Sequence, residues 1–191
     1  DSTVRYPYQM TLGAMPGNDR LIYQMGADLA KQARRLGVHV NFAPSVDVNN
    51  NPNNPVINFR SFGEDKYAVT RKALAYLNGM QDNGLLTSIK HFPGHGDTGT
   101  DSHYDLPVIT KSRAQLDSLE LYPFRQLINA GASGVMVAHL SIPALDTTRN
   151  RPSTLSPAIV TSLLKDALGF QGLIFSDAMN MKGVTKYFPS G

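Results

Sequence analysis

Cysteine is absent from the 191 residues. That excludes disulfides and thiolate metal sites and leaves the redox compartment open. Long apolar runs are missing as well: none approaches the ~20 residues of a membrane-spanning helix. Neither sign of charge is in large excess. The 18 basic and 15 acidic residues give a net charge of +3. No dense Lys/Arg block stands out, so nucleic acid is not an expected partner. There is no internal repeat and no low-complexity tract beyond one Asn-rich loop. No signal peptide is visible, and a start at Asp1 rather than methionine is compatible with processing. What the chain does have is 41% apolar content, enough for a real core. Its length suits one domain or part of a larger one.

The periodicity alternates between helix and strand. Residues 20–36 read as an amphipathic helix closed by Gly37, and Val38–Pro44 as a buried strand. A long loop rich in Asn and Pro follows. Residues 65–83 form a second helical pattern, with Ala68, Ala73, Leu74, Leu77 and Met80 as its expected inner face. Leu85–His91 is a second strand, 111–130 a third helix and Gly134–Leu140 a third strand. Ser156 and Pro157 read as the N-cap and first-turn proline of a helix reaching about Leu168, and Gly172–Ala178 is a fourth strand. Short apolar strands in this alternation point to a parallel sheet covered by helices. Four such strands make either an open α/β sheet or a piece of a barrel, which needs eight.

Every candidate polar group lies at or just past the C-terminal end of a strand, where parallel α/β folds place their sites. The segment KHFPGHGDTGTDSHYDLP (Lys90–Pro107) is the densest. It holds His91, His95 and His103 with Lys90, Asp97, Asp101 and Asp105 in one Gly- and Pro-rich loop. Asp101 beside His103 has the composition of an acid–base pair, since a carboxylate fixes the imidazole tautomer and raises its basicity. The competing reading is an Asx turn with a solvent-facing imidazole. Asp177, at the end of the fourth strand, suits a nucleophile or a stabiliser of developing positive charge. It suits a helix cap about as well. Lys90 and His91 end a strand and can donate hydrogen bonds to sugar hydroxyls or a carboxylate. Arg60, between Phe59 and Phe62, suits recognition of a hydroxyl-bearing ligand, or else ties the loop down through Asp47 or Asp65. His139 is expected to bond backbone near a strand end, and His39 to be structural. Pro93 and Gly94 deny the helix that would align His91 with His95, so no metal is expected.

With these residues laid out, the sequence resembles the β-N-acetylglucosaminidase (β-hexosaminidase) branch of the family 3 glycoside hydrolases. The segments that carry the resemblance are NFAPSVDVNNNPNNPVINFRSFGED, KHFPGHGDTGTDSHYDLP, GVMVAHLSIPALD and GLIFSDAMNMKGV. Their order and spacing fit across almost the whole chain, and KHFPGHG followed by DSH is far more specific than any single triad. The resemblance implies a (β/α)8 TIM-type barrel, of which residues 1–191 are the central part of the catalytic domain. Family members have an opening strand, with an acidic sugar-binding residue, before the position of Asp1. They continue past Gly191 with the closing strands. The resemblance further implies a retaining mechanism with Asp177 as nucleophile, His103 paired with Asp101 as acid/base, and Arg60, Lys90 and His91 holding the sugar. Asp47 is expected to order the Asn-rich loop.

No cofactor is implied. The implied partner is an N-acetylglucosamine-containing glycan or muropeptide. The segment STVRYPYQMTLGAM resembles relatives joined to a serine hydrolase domain, so a further domain of the same polypeptide is expected. Phosphorolysis of the same glycosides, or non-catalytic carbohydrate binding, are the alternatives. The compartment is unknown, with a slight preference for the bacterial periplasm or cell envelope over the cytoplasm.

Overall fold

The computed structural model describes residues 4–17, 19–99, 101 and 104–188. Helices α1 (Gln9–Gly13) and α2 (Asp19–Arg35) lead into strand β1 (Val40–Asn41). The Asn-rich loop carries one 3-10 turn, Asn58–Arg60, before helix α3 (Lys66–Gln81). Strands β2 (Leu86–Thr87) and β3 (Ile89–Phe92) are one row of chain interrupted at Ser88. Helices α4 (Arg113–Ser118) and α5 (Leu121–Asn129), strand β4 (Gly134–Val137), a π-helical segment Ala158–Ala167, strand β5 (Leu173–Ser176) and helix α6 (Lys182–Thr185) complete the order.

The pairing is parallel throughout. Strand β1 pairs with β2, and β3 with β4 and then β5. A parallel bridge from Ser45 to Lys90 makes the two patches one sheet. With β2 and β3 counted as one row, each row lies beside its predecessor in the chain, and among the described residues there is none of the order reversal that marks a doubly wound sheet. The fold is α/β, as expected, and among the described residues the sheet is open rather than closed into a barrel.

One face of the sheet is covered by helices. Ile89, Phe92, Val135 and Val137 are buried there against Leu77, Met80, Phe124 and Leu127. The Phe92 and Phe124 rings meet edge-on, 5.2 Å apart. The other face is bare over much of its area: Val38, Phe42, Leu86 and Leu173 are 43%, 45%, 43% and 47% exposed. Strands β1 and β5 stand three spacings apart, about 14 Å along the sheet, yet the rings of Phe42 and Phe175 come within 5.0 Å across it.

Local chemistry explains where the helices begin and end. The Asp65 carboxylate caps α3 by accepting the Ala68 N–H at 2.7 Å. Ser112 and Gln115 form a reciprocal capping box at α4. The helix expected over 111–130 is two helices, because Pro123 has no N–H to donate and its ring excludes the carbonyl one turn back. On α3, Ala73, Leu77 and Met80 face inward as expected, whereas Ala68 and Leu74 are only half-buried. Lys72 is buried instead, its Nζ donating to the carbonyls of Leu12 (3.1 Å) and Met15 (2.8 Å) at the end of α1. On the far side of β1, the Gln9 side-chain amide pairs with both backbone groups of Ser45.

Candidate active site

Four strand ends converge on one cavity and on two buried groups behind its wall, Asp47 and His139. The loop after β1 supplies Asp47 and, through its 3-10 turn, Arg60. Strand β3 supplies Lys90 and His91, the loop after β4 supplies His139, and Asp177 directly follows β5. Arg60, Lys90, His91, His95 and Asp177 line a pocket of about 250 Å³, with Phe42, Met136 and Met181 among its apolar walls. That volume is slightly below the ~300–1,000 Å³ of drug-sized sites and suits one sugar ring. The Lys90–His91 peptide bond is cis, and both side chains face the cavity.

The floor is built around Asp47, which is 1% exposed. Its carboxylate accepts the backbone N–H of His91 at 3.1 Å, the backbone N–H of His95 at 2.7 Å, the Ser45 hydroxyl at 2.9 Å and the His91 Nδ1 proton at 2.8 Å. Burial alone would raise its pKa. The imidazoles of His91 and His95 and the His95 amide outweigh that and hold it well below the ordinary carboxylate range. On the other side of the His91 ring, Nε2 lies 3.0 Å from Arg60 Nη2. A guanidinium can only donate, so Nε2 accepts and the ring proton sits on Nδ1. Both His91 nitrogens are thus engaged within the protein.

Lys90 faces the same cavity. Burial, then the neighbouring Arg60, lower its pKa, opposed by Asp47 and Asp177. Among the described residues its Nζ makes no hydrogen bond within the protein. Asp177 is half-buried, its Oδ1 accepting the Ala178 N–H at 2.8 Å. His139 fixes that corner: Nε2 donates to the Ala178 carbonyl at 3.0 Å and Nδ1 lies 2.9 Å from the Thr154 hydroxyl. The expected backbone bond of His139 is therefore present, and it steadies the residue next to Asp177. Burial lowers the His139 pKa, which favours this neutral form.

Residues 1–190 match the glycosyl hydrolase family 3 N-terminal domain. The chain belongs to that family. Beta-hexosaminidase A of Pseudoalteromonas piscicida is 42% identical over 94% of this family 3 chain and 32% of its own length. The solved family 3 beta-N-acetylglucosaminidase from Paenibacillus sp. str. FPU-7 superposes with a TM-score of 0.92 at 42% identity, over 95% of this chain and 34% of its own. The beta-glucoside phosphorylase BglX superposes at 0.94 and 29% identity, over 99% of this chain and 35% of its own. The chain spans between 32% and 54% of the length of curated relatives such as these and the beta-hexosaminidase of Nitrosomonas eutropha.

Other candidate residues of the family 3 chain fall outside the cavity or outside the described residues. His103 is not among the described residues. The Asp101 backbone carbonyl accepts the N–H groups of Tyr104 and Asp105. Asp105 pairs with Lys186 at 2.8 Å on the surface. Asp65 caps α3, so neither Asp47 nor Asp65 pairs with Arg60 as the loop-tying reading required. Among the described residues no three His, Cys, Asp or Glu side chains are grouped as metal ligands would be.

Two residues matter more than their sequence context suggested. His95 is 2% exposed, with Nδ1 2.8 Å from the Thr98 hydroxyl and Nε2 without a partner among the described residues. Asn54, 1% exposed, donates to the His95 carbonyl at 2.7 Å and accepts the N–H groups of Val56 and Ile57. It joins the Asn-rich loop to the histidine loop. The signal for Asp47 was an acidic residue inside the apolar triplet Val46-Asp47-Val48.

Proposed function

We propose that this chain forms the central part of the (β/α)8 catalytic barrel of a retaining glycoside hydrolase that releases N-acetyl-β-glucosamine from non-reducing ends. The observation that carries the proposal is a sugar-sized cavity lined by Arg60, Lys90, His91 and Asp177 at the C-terminal ends of the strands. The names of its relatives, beta-hexosaminidase and beta-N-acetylglucosaminidase, supply the substrate class. The substrate is then an N-acetylglucosamine-containing glycan or muropeptide. The longer relatives fit an expectation of further segments in the same polypeptide.

In this mechanism the Asp177 carboxylate attacks the anomeric carbon. The bond to the leaving oxygen breaks, and His103, held by Asp101, gives that oxygen its proton. Water then passes a proton to His103 and attacks the same carbon, and the Asp177 ester breaks to release the sugar. Arg60 and Lys90 donate to ring hydroxyls, and His91 acts on the sugar through Arg60. Phosphorolysis is the second reading, favoured by the likeness to a beta-glucoside phosphorylase and by two cations, Arg60 and Lys90, at the cavity wall.

Three measurements test the assignment in the full-length protein. Asp177→Asn is expected to abolish turnover of an aryl N-acetyl-β-glucosaminide, with and without phosphate, while leaving the unfolding transition in place. A 2-fluoro sugar should label Asp177 in the unmodified protein; a label on another carboxylate refutes the role. His103→Ala should slow substrates with poor leaving groups about 10²–10⁴-fold and activated phenyl glycosides much less. Equal losses for both would remove His103 as the acid.

A further inference from the structure

We infer that Asp47 is a positioning residue for the substrate-binding guanidinium of Arg60, acting through the neutral imidazole of His91. The functional side of this inference rests on the reading of the cavity given above.

The chain of contacts is continuous. The Asp47 carboxylate accepts a hydrogen bond from His91 Nδ1–H at 2.8 Å, and His91 Nε2 accepts one from Arg60 Nη2 at 3.0 Å. Each link fixes the next. Asp47 is wholly buried and its oxygens are filled by donors from Ser45, His91 and His95, so it cannot rotate away. An ionised acceptor beside Nδ1 keeps the proton there and leaves the Nε2 lone pair facing outward. That lone pair is the acceptor a guanidinium needs. The protonated or Nε2–H forms of the ring would set an N–H against the Arg60 N–H. Arg60 itself is exposed and sits on a turn whose first residue, Asn58, has a φ of +33°. Its other contact here is Nη1 to the Val56 carbonyl at 3.3 Å, within the same loop. Through the His91 ring, a charge that would otherwise sweep through solvent is referred to a buried carboxylate across the cavity wall.

The tautomer is read directly by ¹⁵N NMR of the histidine side chains in the full-length protein. The expected spectrum has the His91 proton on Nδ1 and a lone-pair nitrogen at Nε2, with the Nε2 resonance shifting in Arg60→Ala. A proton on Nε2, or an Nε2 resonance indifferent to Arg60→Ala, overturns the inference whether or not any Asp47 variant folds. In kinetics, Asp47→Asn should lower kcat/KM for an aryl N-acetyl-β-glucosaminide about 10–100-fold, chiefly through KM. The same change made in an Arg60→Ala background should cost only a small further factor. Full additivity would mean that Asp47 does not act through Arg60. Failure of the unmodified protein to turn over the glycoside would instead count against the functional reading, and the NMR result would stand apart from it.

Discussion

Among individual residues, His95 is the clearest case of a group whose charge the fold forbids. Burial, and then the nearby His91, hold its pKa at about 4, against 6.5 for the free side chain. Between those values the unfolded chain binds a proton that the folded chain does not. Stability is therefore complete above pH 6.5 and declines as the pH falls towards 4, by roughly 3 kcal/mol in all. Urea unfolding of the full-length protein at pH 7 and pH 4.5 should show this loss, and His95→Gln should flatten it. An unchanged pH dependence in the variant would mean that another group is responsible. Some of this chemistry was legible in the sequence. Arg60, Lys90, His91 and Asp177 stood out because strand ends are where a parallel sheet exposes side chains to a common space. The part played by Asp47 was not legible, because its partners His91 and His95 lie 44 and 48 residues further along the chain. No local pattern connects a carboxylate with amides so distant.

Between elements, the site depends on how closely the loop after β1 and the loop after β3 approach. A Cβ on Gly96 would stand 1.8 Å from the Val48 carbonyl oxygen, which is backbone and cannot step aside. Gly96→Ala is expected to cost about 1–3 kcal/mol through overpacking and to lower turnover with it, since the same loop carries His95. Thermal unfolding and kcat/KM measured together would check this; no change in either would show that the loops part without penalty. Lys111 reinforces the arrangement by pairing with Asp97 at 3.2 Å and with the buried Glu120. Element types followed from periodicity, since strand and helix repeats are local. Boundaries followed less well. The second strand breaks at Ser88, where the Ser88 amide turns to the carbonyls of Asn41 and Ala43, a contact no one-dimensional pattern contains. The small helices α1 and α6 are too short to leave a period.

For the molecule as a whole, the sheet has one finished face and one unfinished face. Val38, Phe42, Leu86 and Leu173 leave apolar area in water, and burying each such side chain is worth roughly 1.5–3 kcal/mol. Residues 1–191 expressed alone are expected to be aggregated, dimerised or molten, with negligible glycosidase activity. Light scattering and a denaturant titration would check this, and a monomer that unfolds cooperatively and turns over substrate would contradict it. Adding flanking sequence should bring back the transition and the activity together. The α/β class was readable from alternation alone. The meeting of Phe42 and Phe175 across the sheet was not, because the two rings lie far apart in the chain. The strand order has a consequence for synthesis. With β2 and β3 counted as one row, each described row docks on the row before it, so a chain leaving the ribosome finds that neighbour already made. Among the described strands none must be held open for a later one to slip between, and the two outer strands, β1 and β5, are the edges left to pair.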